Sequence, residues 1–120
     1  MSIDLLAEAR RRVDGGDPRS AQRLAARALE LSRAAGSSRE IAACAQILGE
    51  CHYIIGDING ARTLGEEALS LDEADGDPAA LGADLNLLGV VELTVGRPQE
   101  GLVLLRRSYD LRAAALGGDD

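Results

Sequence analysis

Small and apolar residues return along the chain every 40 positions. Ala21 aligns with Ala61 and Gly101, Leu24 with Leu64 and Leu104, Ala28 with Ala68 and Ser108, and Leu31 with Leu71 and Leu111. The stretch LGECHYIIGD, Leu48 to Asp57, aligns in the same register with LGVVELTVGR, Leu88 to Arg97. Three units, 1–40, 41–80 and 81–120, fill the 120 residues as a single domain. A fixed period of this size is the signature of stacked repeats, in which no unit buries its apolar face alone.

The polar positions divide each unit in two. GGDPRSA, IGDINGA and VGRPQEG fall at the same place in successive units. Gly16, Gly56 and Gly96 suit the left-handed residue that ends a helix. Asp17 and Asp57 can cap the helix that follows, and Pro18 and Pro98 suit its first turn. Between units, Ser37 with Glu40 forms a capping box, and Asp77 with Pro78 repeats the Asp-Pro start. These signals predict six helices, over 2–14, 18–35, 38–55, 58–74, 78–95 and 98–116. The fold class is all-α.

Composition agrees. Ala and Leu dominate, both strong helix formers, and β-branched residues are sparse. Trp and Phe are absent, and Tyr53 and Tyr109 are the only aromatic residues besides His52. The net charge of −7 argues against a general nucleic-acid binder. Every basic residue is Arg. Residues 1–40 carry a net +2, residues 41–80 a net −7 and residues 81–120 a net −2. No apolar run approaches the ~20 residues that span a bilayer. The opening MSIDLLAEARRR lacks the order of a signal peptide. A cytoplasmic protein is expected, with Cys44 and Cys51 as reduced thiols.

Candidate chemistry is thin. Cys51 and His52 adjoin, but consecutive helical residues point about 100° apart, so they cannot share a metal or act as nucleophile and base. Cys44 and Cys51 share a face, yet sit about 10.5 Å apart along it, too far for a disulfide. Both cysteines read as core. The glycine-rich turns lack the Gly-Lys-Ser/Thr of a phosphate loop. The acids of GEEALSLDEADGD lack calcium-loop spacing and read as a solvated face. Arg19, Arg23 and Arg27 form a stripe that reads as outer surface. No enzyme, cofactor or metal is expected.

The units resemble the tetratricopeptide repeat, whose motif is Trp-x2-Leu-Gly-x2-Tyr on the first helix, then Ala-x3-Phe and a later Ala on the second. The middle unit has Ala45, Leu48, Gly49 and His52, then Ala61, Gly65 and Ala68. The third has Leu85, Leu88, Gly89 and Glu92, then Gly101, Leu105 and Ser108. The first is the most degenerate, with Leu5, Glu8, Ala9 and Arg12, then Ala21, Ala25 and Ala28. The aromatic positions are filled by smaller residues, and the period is 40 rather than about 34. Longer units of this kind look like those of kinesin-light-chain-type adaptors and bacterial signalling and transcription regulators. The Ala-rich, Arg-only composition resembles that of a high-GC bacterium.

The resemblance implies a right-handed α-solenoid of three helix-turn-helix units. Gly49 and Gly89 would face Ala61, Ala68 and Gly101 and let paired helices approach closely. The first helix of each unit would line a concave surface. That assigns Ile3, Leu6, Arg10 and Val13 from unit one, and Ala43, Gln46, Ile47, Glu50, Tyr53 and Ile54 from unit two. Unit three supplies Ala83, Asn86, Leu87, Val90, Leu93 and Thr94. The carboxylate clamp of chaperone-binding members is missing: Leu6, Arg10, Ile47, Ala83 and Leu87 stand at its positions. The implied function is a non-catalytic protein-interaction module that holds a partner peptide, helix or domain in the groove. The alternative is a sensory fragment of a bacterial signalling or transcription regulator, binding a small ligand or signal peptide. Neither nucleic acid nor membrane is expected as a partner. Leu104, Leu105, Tyr109 and Leu111 on the last helix, with no further capping helix after Leu116, suggest a homodimer through that edge.

Overall fold

The computed structural model describes residues 2–117, with side chains described from Asp4 onwards. Six helices follow one another: α1 (Ser2–Asp14), α2 (Pro18–Ala35), α3 (Ser38–Ile55), α4 (Ile58–Asp75), α5 (Pro78–Thr94) and α6 (Pro98–Ala115). There is no strand among the described residues. The predicted ends hold to within a residue. α4 runs one residue further than expected, and α5 and α6 stop one residue sooner.

The punctuation works as the turn chemistry requires. Asp17 accepts from the Ser20 N–H at 3.2 Å, Asp57 from Gly60 at 3.0 Å, Asp77 from Ala79 at 3.2 Å and Ser37 from Glu40 at 3.3 Å. Each satisfies an N–H that the first helical turn leaves without a partner. Among α2 to α6, α6 alone starts without such a bond, because Arg97 stands where Asp17 and Asp57 stand in the other units. Gly56, at φ +106°, closes α3 by donating to the His52 carbonyl, in a conformation that a Cβ would strain.

Helices consecutive in sequence pack in space. In addition α1 approaches α3 and α3 approaches α5, whereas the backbones of α2, α4 and α6 stay apart. The first helices of the units thus form an inner row and the second helices an outer one. Long side chains bridge the outer row: Arg33 to Glu67 at 2.6 Å, and Arg107 to Glu73 at 3.8 Å. Arg19, Arg23 and Arg27 are exposed on α2, as expected.

The core is built largely from small residues. Ala9, Ala21, Ala25, Ala28, Ala45, Ala61 and Ala68 are all fully buried. Without bulky side chains, tight helix approach has to supply the packing. A Cβ on Gly89 would come within 2.7 Å of Leu105 Cγ and 3.2 Å of the Gly101 carbonyl. One on Gly49 would meet Leu87 at 2.9 Å, Leu64 at 3.3 Å and the Ala61 carbonyl at 3.4 Å. The expected pairing of Gly89 with Gly101 and of Gly49 with Ala61 is present. Leu87, from the next unit, is a further neighbour.

Candidate functional site

Equivalent positions on α1, α3 and α5 stack across the inner row. Arg10, Glu50 and Val90 are such a set, 40 residues apart. The Arg10 guanidinium donates two bonds to Glu50, at 2.9 and 3.1 Å, and Gln46 Nε2 donates to Glu50 Oε1 at 3.5 Å. Hydrogen bonding to Glu50 raises the Arg10 pKa above its ordinary value. Further along, Thr94 Oγ1 donates to the Val90 carbonyl at 2.8 Å. The Tyr53 hydroxyl, 2.9 Å from Thr94 Oγ1, is then the donor in that pair.

These side chains border a cavity of about 410 Å³ that gathers Arg10, Glu50, Tyr53, Ile54, Asn86, Leu87 and Val90, with Arg112 from α6. Seven residues assigned from the sequence therefore meet at one place. The others lie elsewhere. Of the seven, Leu87 is only 3% exposed and forms the cavity floor; Ile47, outside that cavity, is buried in the core with Ala45, Leu48 and Cys51. Ile47 therefore offers the groove no open side chain, whereas Leu87 contributes only the small area at its floor. Leu93 leans on α6: a Cβ on Gly101 would lie 2.9 Å from it. Thr94 takes part through Tyr53. Leu6 and Val13 pack partly buried against the core, and Ile3 lies outside the described side chains. Arg112 was not legible as a groove residue, since its counterparts Ser32 and Asp72 are buried under a following unit.

Gln46 also borders a second cavity, of about 230 Å³, between the start of α3, the end of α4 and the start of α5. Ala43, Ile47, Ala80 and Ala83 supply apolar wall, and Arg39, Asp72, Asp75, Asp77 and Asp84 the charge. This overturns the reading of the acid-rich stretch as wholly solvated. Asp72 is only 5% exposed, and Asp84 is 0% exposed. Neither Asp84 oxygen meets a donor among the described residues. Burial first, and then the neighbouring Asp72 carboxyl, push the Asp84 pKa up to about 9. At neutral pH Asp84 is therefore held as the neutral carboxylic acid.

The remaining candidates are structural. Cys44 and Cys51 are buried free thiols, and burial pushes Cys51 up to about 11, away from reactivity. His52 packs on Gly60 and places Nδ1 2.9 Å from Asp57 Oδ2, beside the turn. No three His, Cys, Asp or Glu side chains converge to hold a metal ion among the described residues. No helix there is long and apolar enough to cross a membrane.

The α6 edge differs from expectation at Leu105. That side chain faces inward onto Gly89, because position 105 continues the buried series Ala25 and Gly65. Leu104 lines a cleft with Leu69 and Leu88, and Leu111 is half-buried. Of the four, only Tyr109 is open, at 69% exposure; Leu102, Val103 and Leu116 are the other large apolar residues exposed on this edge. No family model, curated protein or solved structure matches the chain.

Proposed function

We propose that this chain is a non-catalytic interaction module of the tetratricopeptide type, holding a segment of a partner protein against its inner helix row. The observation that carries this reading is the cavity of about 410 Å³ on α3 and α5, where Tyr53, Ile54, Leu87 and Val90 give apolar surface and Asn86 an open amide. An apolar strip with a few polar points suits an amphipathic helix or peptide laid along a groove. Arg10 and Glu50 satisfy each other, so they orient the wall rather than supply net charge to a ligand.

A photo-crosslinking residue tests the reading. Placed at Val90, it should capture one dominant partner segment in cells of the source organism. Placed at Arg23 on the outer row, it should not. Equal capture from both positions would defeat the groove assignment. The second reading, a sensory fragment, draws support from the smaller cavity of about 230 Å³ with its buried acids.

A further inference from the structure

We propose that the cavity floored by Asp72 and Asp84 binds a primary alkylammonium group, supplied by a lysine side chain of a partner or by a free alkylamine. The first ground is unmet hydrogen bonding. Asp84 is fully buried and lines the cavity, and no donor reaches either of its oxygens among the described residues. Buried carboxyls without donors are rare, because the lost hydration is not replaced. Its one companion is another acid, Asp72, from the neighbouring helix.

The second ground is the shape and charge of the surroundings. Asp75 and Asp77 add two carboxyl groups to the lining, and the single cation there, Arg39, is held by Asp75 at 2.8 Å. Arg112 lies across Gly82 instead, and is not part of this cavity. Acids on α4 and α5 meeting at one point suit a compact charge with three donors better than a planar guanidinium. Ala43, Ala80 and Ala83, with Ile47, offer apolar wall to an alkyl stem. A metal ion fits less well, since no three ligands converge among the described residues.

Binding is linked to a proton. The entering ammonium supplies the donors that Asp84 lacks, so Asp84 ionises and releases one proton to solvent. The amine keeps its own, with a pKa of about 10.4. Affinity therefore rises with pH up to the Asp84 pKa of about 9, by at most about tenfold per unit. The lysine source rests on the groove reading above: Gln46 lines this cavity and donates to Glu50 in the groove, so the two spaces adjoin. The site itself does not depend on that reading.

The alanine methyl signals of the full chain report the outcome. The probes are n-pentylamine, an Nα-acetyl-lysine amide and tetramethylammonium, each at about pH 6.5 and about pH 8.5. Saturable shifts at Ala43, Ala80 and Ala83 are expected with the first, and affinity should be at least about tenfold higher at the upper pH. Asp84→Asn and Asp72→Asn should each weaken binding by about tenfold or more. Tetramethylammonium, which has no N–H donor, should neither bind there nor compete. Saturation by the lysine amide as well assigns a partner's side chain, and saturation by pentylamine alone assigns a free amine. Shifts that never saturate, that tetramethylammonium reproduces, or that survive both substitutions overturn the site. That failure would leave the groove standing, because crosslinking at Val90 tests it separately. Should Asp84→Asn fail to fold, Asp72→Asn and the tetramethylammonium arm still decide.

Discussion

Where α2 meets α3, Ser32 and Cys44 lie together, buried, with Oγ and Sγ 3.5 Å apart. Forty residues further on, where α4 meets α5, the same two positions hold Asp72 and Asp84. The first pair is neutral and its members satisfy each other. The second buries two acids, with both Asp84 oxygens lacking a donor. The surrounding contacts also differ. Ala9 and Ala25 in the first junction correspond to Gly49 and Gly65 in the second, where Leu87 and Leu88 press into the space a Cβ would take. One backbone arrangement therefore accepts either polarity. Stability alone favours the neutral pair, so the acids at the second junction call for a functional reason.

The most forceful way to break this comparison is to write the second junction into the first. Ser32→Asp with Cys44→Asp should destabilise the chain by about 3–5 kcal/mol at neutral pH, the penalty for buried charge without a partner. Urea denaturation measures it. A loss below about 1 kcal/mol would mean that such a pair is tolerated freely, and the functional reason falls away.

The converse exchange should work in the other direction. Asp72→Ser with Asp84→Cys should stabilise the protein by about 1–4 kcal/mol at pH near 8. The sign follows from linkage. The folded chain keeps the Asp84 proton up to about 9, whereas the unfolded chain releases it near pH 4. The contribution of Asp84 is thus intact below about pH 4 and lost progressively as pH climbs towards 9. The double variant should lose that slope, and thermal melts across this range report it. An unchanged pH profile would place the titration elsewhere.

The smallest effect concerns the outer row. Arg33→Glu should cost less than about 1 kcal/mol, as exposed ion pairs usually do, and Glu67→Arg in the same chain should restore it. A double-mutant cycle with no coupling would mean that the two side chains do not interact in solution.

Helix positions were legible because each boundary is local chemistry. Gly56 reaches a left-handed φ and Asp57 caps the next helix without help from the tertiary fold. The groove was half legible. Position alone identified Tyr53, Asn86 and Val90, but whether an inner-row residue is open or covered depends on how closely neighbouring units approach. Leu87 and Ile47 are covered for that reason. Asp72 was misread because an acid in an acidic stretch normally faces water. The available signal was its register: the 40-residue offset sets it on Ser32, and Asp84 on Cys44, a residue already read as core. Leu105 carried a similar signal, since Ala25 and Gly65 at its position are small, as inward-facing contact residues tend to be in a tightly packed repeat.

The outer bridges carry an instruction of another kind. Arg33 of the first unit meets Glu67 of the second, and Glu73 of the second meets Arg107 of the third. The positions are equivalent and the signs are reversed. Stacking the third unit directly on the first would set Arg33 against Arg107. Stacking either of the first two units on a copy of itself would set Arg33 against Arg27, or Glu73 against Glu67. Three units built on one backbone plan could otherwise dock in the wrong order, a common fault of repetitive chains. The alternation of charge acts as a spelling rule for the array, adding little to its stability but penalising each misordered neighbour.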